Sequence, residues 1–364
     1  MKIISLAVFI CMLCSCQKEN RQNIQRAISQ VRIELIHTDS SLSVRAIDFN
    51  DEYLFYGSSD HIGKRALRTE LKFDLNAFEL KTGKHHFKHV MNYNDEPLAF
   101  RAIEHVNGNV LAVSIGSPAR LYKLNSNKSS GPRLVYEEIH EKAFYDAMAF
   151  WNDNEGIAIG DPTEDCMSII ITRDGGDSWV KLSCDDLPKT KDGEAAFAAS
   201  DSNIAIVGSH TWIATGGQAS RIMYSSDKGN TWEAIETPIV QGLDTTGMYA
   251  LDFYDALNGF AIGGDYTKAA DSSANKIRTS DGGKTWQIVA KNQSPGYRSC
   301  VQYVPNSNAN ELVAVGFNGI DYSNDAGTSW THLSDEGFYT LRFLNDSVAY
   351  AAGRKRIVKL TFGD

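Results

Sequence analysis

The chain has 364 residues, 42% hydrophobic and 22% charged, with 16 Phe, 15 Tyr and 6 Trp. That supply of apolar side chain excludes a disordered chain. A formal charge of −9 leaves no broad basic face for a phosphate backbone, so no nucleic-acid partner is expected.

The first sixteen residues read MKIISLAVFICMLCSC. Lys2 is a basic start and residues 3–13 form an apolar stretch, too short to span a bilayer and of the length of a secretory core segment. The ending Leu13, Cys14, Ser15, Cys16 resembles the lipobox of bacterial lipoproteins. The resemblance implies a signal peptide over 1–15, lipidation of Cys16 and a polar tether over 16–30. It also implies a place in the cell envelope of a Gram-negative bacterium, anchored in the outer membrane by acyl chains. The other reading is an ordinary secretory signal with a free Cys16.

Three cysteines then remain: Cys166, Cys184 and Cys300. Cys166 and Cys184 flank a predicted hairpin centred near Gly175, in a compartment that permits disulfides. They are either bonded across it or two buried thiols. Cys300 has no evident partner and is expected in the core.

Four segments share one pattern: TRDGGDSW ending at Trp179, SSDKGNTW at Trp232, TSDGGKTW at Trp286 and SNDAGTSW at Trp330. Each follows and precedes a β-rich run, so each is predicted to be the turn of a hairpin. Asp174, Asp227, Asp281 and Asp325 can accept hydrogen bonds from the turn's own N–H groups, while the Gly two positions on supplies φ > 0. Each Trp is expected to pack into the sheet core. The pattern resembles the Asp-box, or BNR, repeat.

Two strands precede each of these turns, as in YDAMAF (145–150) with GIAIG (156–160), so a unit has four strands. The same template finds units without the turn motif at 44–57, 100–113 and 338–350. The total is seven units of about 50 residues, the size of a four-stranded propeller blade. The last unit shows only three strands, and residues 31–37 are expected to supply the fourth and close the ring. The predicted architecture is therefore all-β: a single seven-bladed β-propeller over 31–364.

In a propeller the first strand of each blade lines the central channel. Aligning those strands places Arg45, Arg101, Asp146, Ala196, Tyr249, Arg298 and Tyr339 around one mouth. Loops after the second strands add Ser58, Asp60, Ser117, Asp161, His210, Asp265 and Arg354. Charges near a channel axis are costly unless paired or hydrated. They either neutralise one another, as Arg101 with Asp146, or form an anion-binding mouth, since guanidinium forks match carboxylates. His85, His86 and His89 do not share one strand face and no carboxylate is fixed beside them, so no metal site is expected. With no dinucleotide fingerprint, P-loop or His-Glu-x-x-His, no cofactor is expected either.

The repeats, together with the phrase FWNDNEGIAIGDP (150–162), resemble the BNR propellers related to photosystem II stability and assembly factors. That resemblance implies a non-catalytic, membrane-tethered propeller that holds a protein client; the arginine mouth itself suits an acidic segment of such a client or an anionic glycan, and a monomer is expected. The sialidases also carry Asp-box repeats. Resemblance to them implies instead a glycoside hydrolase: Arg45, Arg101 and Arg298 on a substrate carboxylate, Tyr249 or Tyr339 as nucleophile, Glu194 as its helper and Asp60 as acid. Sialidases have six blades, however, and the arginine they carry after the second strand of the first blade is absent at Gly57, Ser58 and Ser59.

Overall fold

The computed structural model describes residues 28–67, 86–127 and 131–364. The signal peptide, most of the tether with Cys16, and His85 lie outside them.

Alternating apolar runs separated by Gly, Asn and Asp turns pair locally into antiparallel meanders, and seven of these radiate around one axis. Blade 1 comprises Ala46–Phe49, Tyr53–Gly57, His61–Ala66 and Phe87–Val90. Blade 2 comprises Phe100–Val106, Asn109–Ser114, Ala119–Asn125 and Arg133–Glu138; blade 3, Tyr145–Phe150, Gly156–Gly160, Ser168–Thr172 and Val180–Lys181. Blade 4 is built from Ile204–Val207, His210–Ala214, Arg221–Ser225 and Glu233–Glu236, and blade 5 from Thr246–Phe253, Gly259–Asp265, Lys276–Thr279 and Gln287–Ile288. Blade 6 comprises Cys300–Tyr303, Leu312–Gly316, Gly319–Ser323 and Thr331–Ser334. In blade 7, Thr340–Phe343, Val348–Ala352 and Arg354–Gly363 are completed by the chain's first strand, Gln30–Ser43, which runs antiparallel from Gln30 opposite Gly363 to Ser43 opposite Arg354. The ring is thus closed by an N-terminal strand, as expected.

The apolar core is split into layers between neighbouring blades. Seven clusters each draw on two adjacent blades, from Phe55 with Phe100 between blades 1 and 2 round to Tyr56 with Tyr350 between blades 7 and 1. Burying both faces of every sheet is what holds the ring together.

The four repeated turns share one hydrogen-bond scheme. In the first, the Ser178 N–H (2.9 Å) and the Thr172 hydroxyl (2.8 Å) donate to Asp174 Oδ1, and Gly176 N–H donates to the Thr172 hydroxyl (2.8 Å). Gly176 has φ +82°, and a Cβ there would lie 2.2 Å from Leu111 Cδ2, so glycine is required on both counts. Asp227, Asp281 and Asp325 accept from Thr231, Thr285 and Ser329 in the same way. Cys166 and Cys184 form a disulfide, and Cys300 is a buried free thiol.

Blade 4 departs from the sequence expectation. Its inner strand is Ile204–Val207 and its second is His210–Ala214, so Ala196 is not on an inner strand and His210 sits at the turn between the first two. The reason is Trp212. It is fully buried and stacks on Phe253 at 3.7 Å in the layer between blades 4 and 5, a place open only to an interior strand of the blade. The Ala- and Ser-rich run before Ile204 is slim enough to go elsewhere, and it enters the channel.

Candidate functional site

Each inner strand starts at one mouth, here the entry mouth, and runs toward the face that carries the repeated turns. At the same point in three inner strands the register slips by one residue, between Phe100 and Ala102, Tyr145 and Ala147, and Met248 and Ala250. The extra residue of such a bulge is unpaired and its side chain is re-aimed. Those residues are Arg101, Asp146 and Tyr249. Arg45 and Tyr339 immediately precede the inner strands of blades 1 and 7, and the Arg45 guanidinium lies 4.1 Å from the centre of the Tyr339 ring.

The channel is not open behind them. Residues 197–203 pass through it and bond to most of the blades. Ser200 donates to Ser299 O (2.6 Å), and Thr340 donates to Ser200 O (2.8 Å). Asp201, at φ +56°, accepts from the backbone N–H of Ile103 and of Met148, both at 3.0 Å. Arg342 donates to Asp201 O (2.5 Å) and to the Ser202 hydroxyl (3.1 Å). Leu251 N–H donates to Ser202 O (2.9 Å).

Arg45 and Arg101 each give this plug one long bond of 3.4 Å, to Ala199 O and Ala198 O respectively. Among the described residues neither makes an ion pair. Burial, then the neighbouring Arg45, push the Arg101 pKa down. Two half-buried guanidiniums that repel each other and retain free donors make a place for an anion.

Asp146 does not neutralise Arg101 by an ion pair. It is fully buried and neither oxygen makes a hydrogen bond. Burial, then the Asp161 carboxylate, push its pKa well up, against the attraction of Arg101, which favours the neutral acid. Asp161 accepts from Ala196 N–H at 2.8 Å, and burial raises it to about 6.

Arg298, next to Tyr297 on the entry side, does not present a free guanidinium to the mouth. It is buried, with Nε and Nη2 at 2.6 and 2.5 Å from Asp321 Oδ2, and Asp321 also bonds His332. Tyr249 is buried too, its ring stacked on Phe197 at 3.9 Å and its hydroxyl donating to Thr245 O. Glu194 is held by Arg221, Nη2 to Oε2 at 2.5 Å, and Asp60 bonds His61. The sialidase-like set is therefore dispersed: Arg298, Tyr249, Glu194 and Asp60 each serve a local bond. Ser58 is buried with its Oγ accepting from Ser43 N–H, and Asp265 caps the turn Tyr266–Lys268. Among the described residues no three potential ligands gather for a metal.

A second ring, absent from the sequence-based expectation, lies further along the inner strands. Asp48 accepts from His105 N–H (2.6 Å), Asp252 from Tyr303 N–H (2.7 Å) and Gln302 from Phe343 N–H (3.0 Å), each joining one blade to the next. Glu104 and Arg342 occupy the equivalent positions. Burial, then Asp48 and Asp201, raise Glu104 well above the usual carboxylate range. The readable signal was a charged residue interrupting the apolar run in four inner strands: AIDF, AIEH, LDF and LRF.

No family model and no curated protein matches the chain. Solved structures do. A YCF48 bound to D1 peptide superposes with a TM-score of 0.62 at 13% identity, covering 93% of this chain and 98% of that one. YCF48 from Cyanidioschyzon merolae gives 0.61 at 10% identity, covering 92% and 99%. The likeness extends over the whole propeller and is one of fold.

Proposed function

We propose that this chain is a non-catalytic, membrane-anchored propeller that binds a partner protein through an acidic segment at the entry mouth. One observation carries the reading. Arg45 and Arg101 stand side by side at that mouth without a carboxylate partner, on a plug that offers them only two long carbonyl bonds. A bidentate carboxylate would satisfy both. The closed ring and the plug hold the arginines in place beforehand, so little ordering cost attends binding. That a propeller of this fold binds a D1 peptide supports a peptide as the kind of ligand. In this reading the four turns are structural Asp-boxes, Cys16 carries the lipid, and the monomer sits in the bacterial envelope at the outer membrane.

The test is capture of envelope proteins by cross-linking to the lipidated chain in cells, against the Arg45→Ala/Arg101→Ala variant. A client cross-linked only by the wild type is expected. Equal cross-linking by both proteins would sink the assignment of the mouth.

A further inference from the structure

Seven of the eight apolar clusters are layers between blades; the eighth is not. It gathers Tyr249 and Tyr297 with Phe197 at the entry mouth. Two further rings lie on it and face water: Tyr266, 49% exposed, and Phe317, 44% exposed. Tyr297 is the buried base between them, stacked on Phe317 at 5.2 Å and edge-on to Tyr266 at 6.4 Å. All come from entry-side segments. Tyr266 follows the second strand of blade 5, Phe317 turns between the second and third strands of blade 6, and Tyr297 precedes the inner strand of blade 6. The shelf adjoins the arginines through the plug: Ala199 belongs to the same cluster, and its carbonyl accepts from Arg45 at 3.4 Å.

We propose that this shelf is a second subsite, taking an aromatic or aliphatic side chain of the same peptide segment whose carboxylate lies on Arg45 and Arg101. The inference rests on the peptide-binding reading above. Its warrant is the plug, which already lies across the mouth as a peptide would. Phe197 stacks on Tyr249 at 3.9 Å, and the next two carbonyls meet Arg101 and Arg45. An incoming segment repeats that arrangement one layer further out, with Tyr266 and Phe317 receiving the ring. Glu141, Lys142 and Asp161 line a cavity on the blade 3 side of the mouth, where the cation sits among carboxylates, so the acidic end of the segment is better placed on the unpaired arginines of blades 1 and 2. Rigid rings beside an arginine pair are the usual composition of a binding hot spot.

The experiment is an array of short synthetic peptides, each with one Asp or Glu and the other positions varied. It is probed with the folded wild type, with Tyr266→Ser/Phe317→Ser and with Arg45→Ala/Arg101→Ala. The wild type is expected to select acidic peptides with Phe, Tyr, Trp or Leu at one fixed short offset. The shelf variant keeps the acidic preference, loses the apolar one and binds the best peptide about tenfold more weakly. The arginine variant loses both. Acidic selection without an apolar offset, or a shelf variant that behaves as wild type, overturns the shelf and leaves the mouth standing. No acidic selection, or full binding by the arginine variant, overturns the mouth and the shelf with it. Self-association or sialoside binding that the shelf variant abolishes would give the shelf to a second copy or to a glycan, and overturn the peptide.

Discussion

Three arginines with the same place in a strand alignment have two different fates. Arg45 and Arg101 are half-buried and without an ion pair, whereas Arg298 is locked on Asp321. Replacing Arg45 and Arg101 by Ala should therefore abolish binding and leave the melting temperature within a few degrees of wild type. Arg298→Ala should cost about 3 kcal/mol in a urea titration, because a buried carboxylate loses its partner. Equal stability losses in the two variants would reverse these roles. Asp201 adds a pH signature. Burial, against Arg342 and the two N–H groups, raises it to about 7 from an ordinary 3.8. A carboxyl raised on folding contributes stability that is complete below its unfolded value and is lost as pH rises through the folded one. His37, His61, His89 and His105 are lowered mainly by burial and act with the opposite sign near neutrality. The measurement is therefore the gap in urea midpoint between wild type and Asp201→Asn. It should narrow steadily from pH 5 to pH 8, and a gap that widens with pH would contradict the assignment.

The repeated turn and the hairpin are the elements that make each blade local. Burial works against the Asp174 carboxylate, but hydrogen bonds from the Ser178 hydroxyl and N–H and from Thr172 outweigh it and hold its pKa at about 2. Asp227, Asp281 and Asp325 are lowered in the same way, the hydrogen bonds of Thr231, Thr285 and Ser329 outweighing burial. Carboxyls lowered on folding stabilise above their unfolded value, and that stabilisation is lost as pH falls through the folded one. Acid unfolding should accordingly set in between pH 4 and 2. Asp174→Ala should move its midpoint upward, which circular dichroism against pH would show. In the same blade the Cys166–Cys184 bond closes a loop of sequence separation 18. Replacing both by Ser should lower stability by about 3 kcal/mol; an unchanged urea midpoint would mean the crosslink adds nothing to the blade.

At the scale of the molecule, two segments far from each other in the chain make a ring of seven hairpin sheets into one solid. Gln30–Ser43 covers the edge of Arg354–Gly363, an edge that would otherwise be open to pairing with another chain. Removing residues 28–43 should abolish the single cooperative melting transition and cause concentration-dependent aggregation, both readable by calorimetry and light scattering. The plug joins blades through the axis, with Arg342 of blade 7 reaching the Asp201 and Ser202 groups that also bond blades 2, 3 and 5. Among the described residues it occupies the axis and forms the floor of the mouth.

The strands of six blades, the turns, the blade number and the closing strand were legible in the sequence. Each depends on contacts within some ten residues or on a repeat that recurs in phase, and local hydrogen bonding and alternation write themselves into the residue order. Aligning the inner strands also put Arg45 just before one of them and Arg101 and Asp146 at the bulges of two others. The plug, the pairing of Arg298 with Asp321 and the aromatic shelf were not. Residues 194–199 read EAAFAA, a run that resembles an inner strand until the burial of Trp212 assigns that place to another segment. Whether an arginine is free or paired, and whether Tyr266, Tyr297 and Phe317 meet, depends on segments brought side by side only when the ring closes. The sequence determined a seven-bladed propeller with charge at one mouth; the tertiary structure decided which charges remain available, because pairing and burial are properties of neighbours that chain order does not specify.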